Sequence, residues 1–117
     1  MMHLALRRGL LMEELARLQG DEALRNEAFI CGVFSLLDRM LQQPFPALLA
    51  SVPVPERVGL ALLDGAGAHA PGLVLAQAVE TGLPYDIEAA MEALLLSPSE
   101  FNEALLKALV AVRQLQS

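Results

Sequence analysis

The 117-residue sequence has little of what nucleic-acid-binding proteins use. It contains no tryptophan, only 4% aromatic residues, and a formal net charge of −6. Proteins that hold single-stranded nucleic acid stack bases on aromatic side chains, and contacts to phosphates draw on positive charge. The composition therefore argues against a nucleic-acid partner, and the negative charge also opposes binding to anionic lipid surfaces.

Cysteines and long apolar runs are equally scarce. The single cysteine, Cys31, excludes an internal disulfide and a multi-cysteine zinc site. Its apolar neighbours predict a small core residue rather than a reactive thiolate. No run of about 20 apolar residues predicts a membrane span. Arg7 and Arg8 come too late for a signal peptide, and Glu13 and Glu14 interrupt the apolar run, so we expect a cytoplasmic protein.

Hydrophobic residues, by contrast, are abundant at 55% of the chain, with a mean hydropathy of +0.46. This excludes intrinsic disorder and gives a chain of this length one real core. Prolines and glycines separate segments with helical apolar spacing, and strand signals are nearly absent. We predict an all-α single domain, 1–117, built as a compact bundle of six or seven helices. The predicted segments are 2–19, 22 to about 43, 47–51, 55–64, 71–81, 86 to 95 or 96, and 98 to the C-terminus.

The second predicted helix, about 22–43, is the most informative segment. It begins after a plausible N-cap, Asp21, and ends before Pro44. Between Ala28 and Leu41 it is apolar almost all round, which is typical of a buried helix. We therefore expect the other helices to surround it.

The last predicted helix has the clearest start signal. Ser97 and Glu100 form a capping-box pattern with Pro98 at the first helical position. The helix then carries one apolar seam at 4-3-4-3 spacing, formed by Phe101, Leu105, Ala108, Val112 and Leu115.

The polar residues predict no catalytic set. His3 and His69 lack metal-ligand spacing to other donors, and we expect both to be exposed to solvent. Ser35 and Asp38 share a helical face, but no histidine completes a nucleophile, so they predict a structural polar stripe. The residues alone thus indicate a helical domain that binds or scaffolds, with no cofactor and no metal.

Nucleotide binding is also poorly supported by the sequence. The arginines are scattered, and only Arg7 and Arg8 are adjacent. We expect that pair to flank a solvent-exposed face rather than to hold the two phosphates of a cyclic dinucleotide.

The segment Glu27–Asp38, EAFICGVFSLLD, resembles the AF-x-x-G-x-x-S-L-L-D signature of HDOD domains. The resemblance is to bacterial proteins in which an EAL-type cyclic di-GMP phosphodiesterase module precedes HDOD. Residues 48–63 are similar to the stretch LL…LP…P-E-x-V…AL of the same group, with Pro53, Pro55 and Glu56 in place. The resemblance spans about 5–95, is strongest over 27–63, and corresponds to the C-terminal half of an HDOD domain.

HDOD domains resemble the HD phosphohydrolases, in which a His-Asp dyad binds the metal that activates water. In this sequence Ser35 stands at the histidine position and Leu36 at the aspartate position. Leucine cannot ligate a metal, and serine is a poor ligand for borderline ions. The resemblance therefore implies an HD-like helical fold without the metal chemistry, and not an enzyme.

The N-terminal half of an HDOD domain has no counterpart in this sequence. Helices that rest on that half would expose apolar faces, and exposed apolar faces become interfaces. The first helix is the main candidate, and we predict a homodimer or higher oligomer formed through Leu4, Leu11, Leu15 and Leu18.

The resemblance implies a non-catalytic regulatory module of bacterial signal transduction, acting through protein contacts and linked to cyclic di-GMP. An EAL-type module is the partner it implies. Two alternatives remain at this point. One is a divergent HD-type metal phosphohydrolase, for which His3, His69, Asp38 and Asp64 are the available donors. The other is a plain helical oligomerisation domain.

Overall fold

The structure, a computed structural model, describes residues 2–20 and 22–116. This part of the chain forms eight α-helical segments and one 3-10 turn, Glu22–Leu24, which confirms the all-α fold class. Counting α2 and α3 as one interrupted helix gives seven. The segments are α1 Met2–Leu18, α2 Arg25–Phe34, α3 Leu37–Leu41, α4 Phe45–Ser51, α5 Glu56–Asp64, α6 Ala70–Thr81, α7 Pro84–Ala93 and α8 Pro98–Gln116.

Proline, glycine and capping residues set most of these boundaries, as predicted. Helices α5 and α6 end at Gly65 and Gly82, which both adopt left-handed backbone angles. At the start of α8 the Ser97 amide donates to Glu100 Oε1 at 3.0 Å, and the Glu100 amide donates to Ser97 Oγ at 3.1 Å. The predicted capping box is therefore confirmed.

The start predicted for α7 is wrong by a short distance. The helix begins at Pro84, two residues before the predicted start at Asp86, which lies inside its first turn. Proline at the first helical position has its φ angle already fixed near the helical value, so the helix can begin there.

The second helix is not continuous, which corrects the prediction of one helix over about 22–43. It breaks between α2 and α3 at Ser35 and Leu36. The Ser35 hydroxyl donates back to the Gly32 carbonyl at 2.6 Å, a contact that competes with regular helix geometry. Leu36 is 1% exposed and fills the core at the break. The predicted cap Asp21 lies outside the described residues.

The central element is α1 rather than the second helix. Helix α1 packs most extensively against α2 and α8, and also against α6. Helix α2 buries only one side, through Ala28, Cys31 and Gly32, and Leu41 of α3 is 51% exposed. The apolar outer side of α2 and α3 is thus only partly covered, which corrects the expectation of an enclosed central helix.

Two glycines bring α1 and α2 into backbone contact. A Cβ atom on Gly32 would lie 2.5 Å from the Gly9 Cα, and a Cβ on Gly9 would lie 2.7 Å from Val33 Cγ2. Only hydrogen fits at either position, because any side chain would collide with the facing helix. This close approach fixes the distance between the residues that flank it on the two helices.

The core is one contiguous cluster to which α1, α2, α5, α6, α7 and α8 contribute. Cys31 is fully buried within it, as predicted. The seam of α8 buries Phe101, Ala108 and Val112 as expected, but Leu115 is 62% exposed and does not belong to it. Among the described residues, no helix is both long and apolar enough to cross a membrane.

Candidate functional site

The first polar cluster is built around Arg8 of α1, whose side chain is only 5% exposed. The Arg8 Nε donates to Glu80 Oε2 at 2.8 Å, and its second terminal nitrogen contacts Glu80 Oε1. The remaining terminal nitrogen donates to Ser35 Oγ at 2.8 Å. The guanidinium thus joins α1, the break after α2, and α6. The expectation that Arg7 and Arg8 together flank solvent is wrong for Arg8.

Ser35 and Leu36, the positions that correspond to the metal dyad of HD phosphohydrolases, both have structural contacts here. The Ser35 hydroxyl accepts from Arg8 and donates to the Gly32 carbonyl, so its hydrogen-bonding groups are in use. Leu36 is buried, and Asp38 Oδ1 accepts from the Arg39 amide at 2.8 Å rather than bonding to Ser35. Leu36 has no donor atom, and the Ser35 oxygen lies against the positively charged Arg8 guanidinium, which disfavours a cation there.

The second polar cluster joins Glu27 of α2, Arg57 of α5 and His69, which precedes α6. Arg57 donates to both carboxylate oxygens of Glu27, at 2.9 and 2.7 Å. His69 Nε2 lies 3.1 Å from Glu27 Oε1. The His69 side chain is 4% exposed, so the prediction of a solvent-exposed histidine is wrong. Its loop is folded inward by this contact with a residue 42 positions earlier.

The electrostatics of this second cluster favour a permanent carboxylate. The hydrogen bonds from Arg57 are the main reason that the pKa of Glu27 is lowered to about 2, and His69 contributes in the same direction. A carboxylate with so low a pKa is a weak base near neutral pH. Burial raises the pKa of the nearby Cys31 thiol to about 12, so that thiol stays protonated. The ionised Glu27 therefore joins α2 to α5 and to the residue before α6 through charged hydrogen bonds.

The possible metal donors are not gathered into one site. Within residues 2–20 and 22–116, no three histidine, cysteine, aspartate or glutamate side chains converge as a metal site would require. In particular, His3, His69, Asp38 and Asp64 do not form such a group.

The proposed dimer face of α1 does not reach the surface. Leu11 and Leu15 are 4% and 3% exposed and belong to the core, while Leu4 and Leu18 are partly buried. The prediction that this face is exposed is wrong, because α2 and α8 pack on α1 from two sides. Any self-association of the chain would therefore use another surface.

An open apolar groove lies between α6 and α7. Its volume is about 420 Å³. Half of its lining residues are alanines, and Val74 of α6, which also lines it, is 54% exposed. The lining side chains are Val74, Gln77, Ala78 and Thr81 of α6 and Asp86, Ala89, Ala90 and Ala93 of α7. A groove of this composition suits an apolar side chain of a protein partner.

Sequence reasoning missed both polar clusters. Glu80 is 72 positions from Arg8, and His69 is 42 positions from Glu27, so no local spacing links either pair. One signal was available, because Arg8 lies within the helical series Leu4, Leu11 and Leu15 and so faces inward with them.

Comparisons with family models, with curated proteins and with solved structures found no match to this chain.

Proposed function

We propose that this chain is a non-catalytic, HDOD-like regulatory module that acts through protein contacts in bacterial signal transduction linked to cyclic di-GMP. Its proposed partner is an EAL-type phosphodiesterase module. The proposal rests on the resemblance of residues 27–63 to the HDOD signature, and on what those residues do in the fold.

The observation that carries the non-catalytic part is the use of Ser35 and Leu36. Ser35 is hydrogen-bonded to Arg8 and to the Gly32 carbonyl, and Leu36 is 1% exposed. Where an HD phosphohydrolase has two metal ligands, this chain has a helix break held by a hydroxyl and a core leucine. The structural contacts of these two residues support a function carried out by protein contacts rather than by a metal at this position.

The α6–α7 groove is the surface that best suits the proposed partner. It is apolar and open, and Asp86 is the charged residue among its lining side chains. Apolar grooves with few polar groups are common recognition sites for partner helices and loops. We assign the contact with the EAL-type module to this groove.

The experiment is a binding and activity measurement with purified EAL-type modules from the same organism. Calorimetry should show binding, and the rate of cyclic di-GMP hydrolysis by the module should change when this chain is added. Val74→Glu, which places a charge in the groove, should abolish both effects. Leu41→Glu, at a residue of similar exposure outside the groove lining, is the matched control and should retain both. Absence of binding to every EAL-type module of the organism would refute the proposed partner.

We do not expect this chain to bind cyclic di-GMP directly. The Arg8 and Arg57 guanidiniums are both engaged with carboxylates in two-pronged contacts. A titration of this chain alone with cyclic di-GMP should give no heat of binding. Micromolar affinity in that titration would replace a protein-contact function with a nucleotide-sensing one.

A further inference from the structure

The solvent side of α8 carries a self-complementary stripe, which we name the α8 stripe: Glu103, Leu106, Val110 and Arg113. These residues have 3-4-3 spacing and lie on the side of the helix opposite the buried residues Phe101, Ala104, Ala108 and Val112. Leu106 and Val110 are 62% and 54% exposed. Two aliphatic side chains so exposed, one turn apart, form an apolar spot between the two charged residues of the stripe.

The order of residues in the stripe is symmetric about Ala108. Residues 103 and 113 are equally distant from position 108, as are residues 106 and 110. When two such helices lie antiparallel, Glu103 of one meets Arg113 of the other, and Leu106 meets Val110. Both outer layers then place opposite charges together, and both inner layers are apolar. This is the pairing that 3-4-3 spacing produces in antiparallel helix pairs, and it repeats itself under a two-fold axis.

We propose that a second copy of this chain docks on the α8 stripe, so that two α8 helices pack antiparallel across a two-fold axis near Ala108. Charge complementarity selects this occupant and this orientation. A parallel pair would instead set Glu103 against Glu103 and Arg113 against Arg113, which repel one another.

The residues beside the stripe are compatible with this arrangement. Leu109 is 41% exposed on one flank and adds apolar area close to the two-fold axis. Lys107, on the other flank, forms an ion pair with Glu103 of its own helix at 2.9 Å and is 43% exposed. Its long side chain keeps the ammonium group at the solvent-exposed rim of the pair.

The proposed interface is small, and we therefore expect a weak, reversible dimer. Four layers on one helix bury less than the roughly 800 Å² per partner of a standard stable interface. The dimer should therefore form reversibly as the protein concentration rises, and its outer Glu–Arg layers should make it weaker at high salt. The inference does not depend on the proposed function, because the α8 stripe and the α6–α7 groove share no residue.

The test is a charge swap read by sedimentation velocity over a range of concentrations. Glu103→Arg alone and Arg113→Glu alone each place like charges in both outer layers, and each should shift dimerisation to at least tenfold higher concentration. An equimolar mixture of the two variants restores opposite charges in both layers and should dimerise at least as well as the unmodified chain. Leu106→Glu should remain monomeric alone and in every mixture.

A matched control shows that any loss is specific to the stripe. Glu88 is an exposed acidic residue of α7, so Glu88→Arg makes the same charge change away from the stripe and should dimerise normally. Circular dichroism of each variant checks that it is folded. A chain that is monomeric at all concentrations would overturn the proposal. So would a dimer that survives both single charge reversals, or folded variants that fail to associate when mixed.

Discussion

The two arginine–carboxylate clusters have nearly the same hydrogen-bond geometry, but the arginine is buried in one and half-exposed in the other. In the first, Arg8 is 5% exposed and Glu80 is 23% exposed. In the second, Arg57 is 50% exposed and Glu27 is 20% exposed. A buried guanidinium cannot shed its proton, so it depends on its partner for charge balance, whereas an exposed one keeps its contact with water. Equal hydrogen-bond geometry therefore does not imply an equal contribution to stability.

The largest effect should come from removing the partner of the buried arginine. Glu80→Ala leaves the Arg8 charge inside the protein with only Ser35 as a hydrogen-bond partner. We expect a loss of about 3 kcal/mol in the free energy of unfolding, measured by urea denaturation. In the second cluster, removing the half-exposed partner by Arg57→Ala should cost no more than about 1 kcal/mol.

A second variant tests whether the unpaired charge is the cause. Arg8→Met in the Glu80→Ala background removes the buried charge while keeping most of the side-chain volume. The double variant should be more stable than Glu80→Ala alone. Equal losses for Glu80→Ala and Arg57→Ala would contradict the distinction between the two clusters.

The next largest effect should come from Gly32→Ala, which tests how each cluster depends on the contact between α1 and α2. Gly32→Ala places a methyl group 2.5 Å from the Gly9 Cα and forces α1 away from α2. We expect a loss of about 2 kcal/mol, since overpacking at backbone contacts is not relieved by side-chain movement. Because Arg8 is on α1, Gly32→Ala and Glu80→Ala should be non-additive in a double-mutant cycle. Gly32→Ala and Arg57→Ala should be closer to additive, because the Arg57–Glu27 contact joins α5 to α2 at a position more than one turn from Gly32.

The smallest effect is the acid sensitivity of the second cluster. The pKa of Glu27 is about 2 in the fold against an ordinary value of 4.5. Its contribution to stability is therefore complete above about pH 4.5 and is lost as the pH falls towards 2. We expect this loss to be about 1 kcal/mol, because the half-exposed Arg57 is screened by solvent.

Comparison with Glu27→Gln separates the pH-dependent contribution of Glu27 to stability from that of the other carboxylates. The free energies of unfolding of the two proteins are measured by denaturation at pH 5 and at pH 2.5. The difference between them should be smaller at pH 2.5, because the unmodified chain loses more stability. A constant difference between them across that range would show that Glu27 does not titrate as its pKa requires.

Local signals in the sequence were sufficient for most helix boundaries. Gly65, Gly82 and the Ser97–Glu100 capping box act within one turn, and the structure places helix ends at each of them. The break at Ser35 was not predictable in this way. No glycine or proline marks it, and it depends on a hydroxyl that is also held by Arg8, 27 positions away.

Burial was harder to predict than helicity. Arg8 and His69 were expected at the surface because their residue types usually lie there. Both are buried because a carboxylate distant in the sequence receives them. The error for Leu11 and Leu15 was the opposite one. They were predicted to form an exposed dimer interface, but α8, more than 80 residues later in the chain, packs against α1 and they are buried.

The contact between Arg8 and the distant Glu80 also has a consequence for folding during synthesis of the chain. Helices α1 and α2 are synthesised before α6, and their close approach through Gly9 and Gly32 sets Arg8 beside Ser35 in the fold. At that stage the carboxylate of Glu80 does not yet exist, and the guanidinium stays hydrated instead of buried. We therefore expect the α1–α2 pair to bury Arg8 only after residue 80 has been made and can pair with it. Folding of the N-terminal part is in this way tied to the arrival of α6.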